Sequence, residues 1–197
     1  MKENIVYVYG ESLYINMTNR CTNQCQFCVR QMTDGLGDAD SLWLEKEPEV
    51  REVIEELENF HAGDYEEIIF CGYGEPTMRL DDVLEVARYL KKNTHSKVRI
   101  NTNGLADLIW NKRTAPMLAG IVDRVSVSLN EADADAYTAL CHPVFGEKSY
   151  EAILTYIQDV KQYVEEVAVS VVGCISEDAA ERCRKIAEDL DVKFKIR

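Results

Sequence analysis

The sequence predicts an α/β fold: a partial (β/α)6 barrel of parallel strands, TIM-like in kind, preceded by a short N-terminal β-hairpin. Three observations predict it. Apolar runs of strand length alternate with amphipathic helical stripes, the pattern of repeated β-α units. Six such runs occur, whereas a closed eight-stranded barrel takes roughly 250 residues against the 197 present here. Small or polar residues follow five of the runs, at the carboxyl ends where parallel sheets collect ligand groups.

The hairpin is read in "IVYVY" and "SLYIN", residues about 4–17, turning at Gly10, whose missing Cβ allows the positive φ of a tight turn. The parallel series is then "LYINMT" (13–18), "EIIFCG" (67–72), "VRINTN" (98–103), "RVSVSLN" (124–130), "VAVSVV" (167–172) and "VKFKI" (192–196). Val53, Ile54 and Leu57 repeat at helical spacing, as do Val83, Leu84, Ala87 and Leu90, then Ile153, Ile157 and Val160, then Ala179, Cys183, Ile186 and Leu190. Residues 105–119 predict a weaker helix interrupted by Pro116, and "LCHP" (140–143) a loop before a helix. Nothing divides the chain, so residues 1–197 are expected to form one domain without a C-terminal extension. The Asp- and Gly-rich stretch 29–48 is long for a β-α connection and is expected to be functional or mobile, folding over a small substrate or leaving the mouth to a macromolecular one.

With 22 Lys and Arg against 35 Asp and Glu, a formal net charge of −13, a broad phosphate-tracking surface is disfavoured and nucleic acid is not the expected partner. The N-terminus has neither the apolar core of a signal peptide nor the length of a span, so a cytoplasmic protein without a membrane partner is expected. In that compartment seven cysteines read as ligands, reactive thiols or buried small side chains rather than disulfides.

Three of them stand close together in "NRCTNQCQFCVR": Cys21, Cys25 and Cys28, spaced C-x3-C-x2-C, with no second pair nearby. Structural zinc sites are closed by four ligands, normally two pairs, which makes zinc the weaker reading. A [4Fe-4S] cluster on three thiolates keeps one iron open for a substrate or cofactor. An electron-transfer cluster remains an alternative at this point.

The stretch "CTNQCQFC" resembles the signature of the radical S-adenosylmethionine (radical SAM) superfamily, C-x3-C-x-aromatic-C, with Phe27 at the aromatic place. The resemblance implies that Cys21, Cys25 and Cys28 hold a [4Fe-4S] cluster and that S-adenosylmethionine (SAM) chelates the open iron. One electron then cleaves the sulfonium to methionine and a 5′-deoxyadenosyl radical, which abstracts hydrogen from a substrate. Such a radical demands a water-excluding pocket. "GYGEP", residues 72–76, resembles the family's G-G-E-P motif, which meets the SAM amino group. It implies contacts from Gly72, Tyr73, Gly74 and Glu75, with Tyr73 the departure from the pattern. Ser128 and Asn130, Asn101 and Asn103, and Val172, Gly173 and the backbone near Lys195 fall where the family lines the ribose, carboxylate and adenine.

Along its length the chain is also similar to the TatD family-associated radical SAM proteins, through "INMTNRCTNQCQFC", "GYGEPT", "RINTNG", "VSVSLN" and "LCHP". The implied partners are an electron donor such as flavodoxin or ferredoxin, a small-molecule or protein substrate, and a pathway link to a TatD-type hydrolase. A glycyl-radical-enzyme activase is one version of the activity. A non-catalytic Fe-S electron-transfer or binding protein is the alternative from another class. Cys71 and Cys174, at strand ends, and Cys183, on a helical stripe, are expected to be small buried side chains. Adjacent Cys141 and His142 are not expected to face one another. Trp43 reads equally as a lid anchor or as a staple on its loop.

Overall fold

The computed structural model describes residues 4–197, which form two compact units. The first comprises residues up to Cys21 together with Val29–Asn101 and Ile121–Asp123; the second comprises Thr22–Cys28, Thr102–Gly120 and Arg124–Arg197.

In the first unit, β1 (Val6–Tyr9) and β2 (Ser12–Ile15) make the expected antiparallel hairpin, pairing Tyr9 with Ser12 and Val6 with Ile15 around Gly10 at φ +62°. β2 then pairs in parallel with β3 (Glu67–Phe70), and β3 with β4 (Lys97–Thr102). Ile68, Ile69 and Phe70 are all buried, as a parallel strand covered on both faces requires. Helix α1 (Val50–Asn59) buries Val53 and Leu57, and the Glu52 carboxylate accepts from the Glu49 N–H at 2.8 Å to close its first turn. Helix α2 (Leu80–Asn93) packs on α1 and carries Asp81 and Asp82 in its first turn, Lys91 and Lys92 in its last, complementing the helix dipole.

The stretch 29–48 is a packed layer rather than a free lid. It starts as a 3-10 turn, Val29–Gln31, and then runs along the open edge of the hairpin: Asp38 N–H donates to the Val8 carbonyl at 3.1 Å and its carboxylate accepts from Val8 N–H at 2.7 Å. A strand edge is thereby covered. Gly37 is required there, because its φ is +63° and a Cβ would lie 2.0 Å from the Val8 carbonyl oxygen. Leu42 and Ala39 bury themselves with Tyr7 and Tyr73.

In the second unit, β5 (Arg124–Ser128), β6 (Glu166–Val171) and β7 (Lys193–Ile196) pair in parallel in that order. The expected helix over 105–119 is broken into α3 (Ala106–Trp110) and a 3-10 turn, Ala115–Leu118, with Asn111 at φ +49° ending the first piece and Pro116 opening the second. The predicted loop at "LCHP" holds for His142 and Pro143 and is corrected for Leu140 and Cys141. Cys141 is the last residue of a helix, α4 (Ala134–Cys141), which Asp133 caps by accepting from the Ala136 N–H at 2.9 Å and which His142 ends at φ +42°. Helices α5 (Lys148–Val160) and α6 (Glu177–Asp189) follow the predicted stripes.

Leu42→Ala is expected to cost about 2–5 kcal/mol, since it empties a fully buried position. Trp43→Ala is expected to cost less, because Trp43 is 42% exposed and meets Tyr73 only edge-on. Urea midpoints of the two variants check this; equal small shifts would show that the stretch is not part of the core.

Candidate functional site

In the first unit the turn after β3 lies directly against the segment that leads into Cys21. Glu75 N–H donates to the Arg20 carbonyl at 2.8 Å. A Cβ on Gly74 would stand 2.2 Å from the Thr18 carbonyl oxygen and 2.6 Å from that of Arg20, and one on Gly72 would stand 2.1 Å from Asn16 Oδ1. Gly74 is thus demanded by backbone approach and Gly72 by the Asn16 side chain, both within the protein itself. The buried Glu75 carboxylate caps the 3-10 turn Pro76–Arg79, accepting from Thr77 N–H at 3.0 Å and Thr77 Oγ at 2.7 Å. The Tyr73 side chain is buried in the cluster with Leu42, and its hydroxyl donates to the Thr33 carbonyl. Its main chain is what it offers to a ligand.

Arg20 is held by Glu47 through two hydrogen bonds of 2.6 and 2.9 Å, and Thr18 also donates to Glu47. Arg79 donates to the Met17 and Pro48 carbonyls at 2.9 and 2.7 Å. Burial alone would raise the Glu47 carboxyl, but donation from Arg20 and Thr18 and the charges of Arg20 and Arg79 outweigh it and hold it below the usual carboxylate range.

In the second unit the main chain around Cys25 hangs from the carboxyl end of α4. Gln24 N–H donates to the Cys141 carbonyl and Gln26 N–H to the Leu140 carbonyl, both at 3.0 Å, so the loop satisfies carbonyls that a helix end leaves open. The Gln26 side chain donates to the Ala139 carbonyl at 3.0 Å and lies 3.2 Å from His142 Nε2. Thr22 accepts from Asn103 Nδ2 at 2.9 Å, while Asn103 Oδ1 accepts from Leu105 N–H at 3.0 Å; Asn23 donates to the Tyr137 hydroxyl at 2.8 Å. Asn103 therefore braces the cysteine loop. Cys25, Phe27 and Cys28 are half-buried, and Cys28 N–H donates to the Cys25 carbonyl at 3.1 Å. Cys141 is fully buried; its thiol is pushed far up, first by a hydrogen bond with Cys25 and then by burial. As expected, Cys141 and His142 face different partners.

Three of the seven buried side-chain atoms that lack a hydrogen-bond partner among the described residues are amide oxygens: Oδ1 of Asn16, Asn101 and Asn130. Each belongs to the carboxyl end of a strand, following β2, last but one in β4 and following β5, respectively. An unpaired buried acceptor costs about 1–3 kcal/mol, so each of these oxygens, two in the first unit and one in the second, suits an N–H or O–H donor. The ammonium, ribose hydroxyls and adenine amine of SAM are such donors, and half-exposed thiols free of disulfides are what an Fe-S cluster takes. In donor type the residues present fit both groups, although among the described residues no three Cys, His, Asp or Glu side chains are gathered as they would be around a single metal ion.

Ser128 Oγ accepts from Arg197 at 2.8 Å, and Gly173 N–H donates to the Arg197 carbonyl at 2.8 Å. Val172 is half-buried, and its carbonyl accepts from Ile175 N–H at 3.4 Å. Cys183 is buried as expected and Cys71 is half-buried, but Cys174 corrects the expectation: it is exposed, in the turn after β6. Asn16 and the α4 end were missed by sequence reasoning. Asn16 sits inside an apolar run that reads as strand, and α4 is too short and too evenly apolar to show a stripe.

The sequence profile of the radical SAM superfamily matches residues 15–188. The chain belongs to the radical SAM superfamily. Radical SAM proteins are enzymes that use a [4Fe-4S] cluster and SAM, and those are the cofactors that come with this membership. Among curated proteins it is similar to the GTP 3′,8-cyclase of Corynebacterium glutamicum (strain R), 32% identical over 139 residues, which are 66% of this chain and 34% of that protein. The chain thus spans about a third of the length of that relative. Among solved structures it is similar to Streptococcus suis SuiB bound to S-adenosylmethionine (TM-score 0.67, 13% identity, 95% of this chain and 39% of that one). It is also similar to a radical SAM methyltransferase from Sphaerobacter thermophilus (TM-score 0.59, 15% identity, 98% of this chain and 68% of that one). These likenesses show the fold, the barrel-like α/β arrangement that the sequence predicts.

Glu47→Gln is expected to lower stability at neutral pH. Because the folded carboxyl titrates below its unfolded value, that contribution is full above the ordinary carboxylate pKa of about 4.3 and fades as pH falls through the lowered one. The gap in urea midpoint between wild type and variant is expected to narrow with acidification; a constant gap would remove Glu47 as the clamp on Arg20.

Proposed function

We propose that this chain is a catalytic radical SAM enzyme in which Cys21, Cys25 and Cys28 hold the [4Fe-4S] cluster and the strand ends hold SAM. The observation that carries the reading is the set of orphaned amide oxygens of Asn16, Asn101 and Asn130 at strand carboxyl ends, beside a family match that includes the three cysteines. With both cofactors bound, the chemistry supplied is reductive cleavage of SAM to methionine and a 5′-deoxyadenosyl radical, which takes a hydrogen atom from the substrate.

The chain's own residues bind and orient. Main-chain carbonyls of Gly72 to Gly74 and the Glu75 carboxylate would meet the ammonium, Glu75 keeping one oxygen on Thr77. Asn101, Ser128 and Asn130 would receive the ribose and carboxylate, Phe27 would stand at the cluster's aromatic place, and Val172 and Gly173 would line the adenine. Asn103 acts by holding Thr22 and hence the loop. The family match spans residues of both compact units, which supports reading 1–197 as a single radical SAM core.

Within the superfamily we place the chain with the TatD-associated group, on its run of motifs. It would draw electrons from a flavodoxin or ferredoxin and serve a pathway shared with a TatD-type hydrolase. Among the described residues no helix is long and apolar enough to cross a membrane, and the cytoplasmic location is part of the proposal.

After anaerobic reconstitution, dithionite and SAM are expected to yield 5′-deoxyadenosine with wild type and none with Cys25→Ala. A protein that binds iron and sulfide yet never cleaves SAM would favour the electron-transfer alternative. Glu75→Gln keeps an acceptor for Thr77 but loses the charge. It is expected to weaken SAM binding about tenfold at unchanged iron content, the scale of one charge-assisted hydrogen bond; unchanged affinity by calorimetry would take Glu75 out of the site.

A further inference from the structure

Cys141 is fully buried, and neither the cysteine motif nor the glycine motif uses it. Its surroundings fix the direction of its one proton. The main chain on both sides of Cys25 is tied to the end of α4, through Gln24 N–H to the Cys141 carbonyl and Gln26 N–H to the Leu140 carbonyl, each at 3.0 Å. That two-point anchor holds the Cys25 main chain against the helix end that carries Cys141, and a side-chain hydrogen bond joins Cys141 to Cys25. On the other side of the sulfur, Asn130 Nδ2 donates to Cys141 Sγ at 3.7 Å, a distance within sulfur hydrogen bonding. A thiol that accepts from Asn130 has its S–H left to give, and Cys25 is the partner in reach. When Cys25 is a cluster ligand it is a thiolate, an acceptor only.

We propose that Cys141 is a positioning residue for the cluster, donating its S–H to the Cys25 thiolate and, with Asn130 behind it, raising the cluster's reduction potential. The inference rests on the reading of Cys25 as a ligand. Reduction adds negative charge to the cluster and its sulfurs, so a hydrogen bond to a ligand sulfur is stronger in the reduced state and favours it. Asn130 then serves two ligands: its amide nitrogen orders the thiol while its Oδ1 remains the orphaned acceptor. The chain Asn130 to Cys141 to Cys25 links the strand-end acceptor to one iron ligand. Seating of a ligand on Asn130 would thus be felt at the sulfur.

The test is an EPR-monitored redox titration of the reconstituted protein without SAM, on wild type, Cys141→Ala and Cys141→Ser. At a fixed potential the reduced-to-oxidised ratio of Cys141→Ala is expected to fall about tenfold, which for a one-electron couple is about 59 mV more negative. Cys141→Ser, which keeps a donor and nearly the same volume, is expected to lie closer to wild type. Deuterium exchange followed by pulsed EPR is expected to show an exchangeable proton near the cluster in wild type that Cys141→Ala lacks. An intact cluster with an unchanged midpoint and the same exchangeable proton in Cys141→Ala would overturn the inference alone. A wild-type chain that takes up no cluster, or a Cys25→Ala variant that keeps it, would overturn the ligand reading and the inference with it.

Discussion

The rest of the structure depends on how the backbone of the cysteine loop is pinned. Three thiolates can share one cluster only if the chain that carries them is fixed to a fraction of an ångström, and a loop of small and polar residues cannot fix itself. Before Cys21 the fixing is done by the Arg20 carbonyl, which accepts from Glu75 N–H across a glycine too close for any side chain. Around Cys25 it is done by the open carbonyls of α4, which accept from Gln24 and Gln26. Main-chain hydrogen bonds hold position without lengthening the list of special side chains.

Seen this way, the glycine motif has two jobs. Gly74 lets two backbones meet and Gly72 leaves room for the Asn16 side chain, so that the turn after β3 packs directly on the lead into Cys21. The motif's carbonyls and Glu75 are then available at a fixed place for a cationic group. The same economy recurs at Asn103, whose amide ties Thr22 to the start of α3, and at Asn130, whose amide nitrogen meets a sulfur while its oxygen waits. Buried unpaired acceptors are destabilising to the unliganded protein. Their concentration at strand ends is where binding energy would be recovered.

Much of the fold was legible in the sequence because it rests on period. Every strand of the series and the four striped helices reappear, with the ends of all but the last strand one to three residues shorter than the run, as before Asn130 with φ +62°. What was not legible was tertiary. Helix α4 shows no stripe because Ala134, Ala136 and Ala139 stand on all sides of it, and its value lies in its end rather than its face. The stretch 29–48 reads as loose from its Asp and Gly content, yet Leu42 and Tyr73 meet there across a separation no local pattern reveals. At the site, the cysteines and the glycine motif are visible as spacing, whereas Asn16 and Cys141 matter only through neighbours that are remote in the chain.

The central claim is that three thiolates leave one iron of a four-iron cluster open to SAM. Mössbauer spectroscopy of protein reconstituted with ⁵⁷Fe, with and without SAM, tests it most directly. The account predicts that SAM changes the signal of one iron site in four and leaves the others as they were. A spectrum that SAM does not alter, from a protein that nonetheless holds a full cluster, would contradict it.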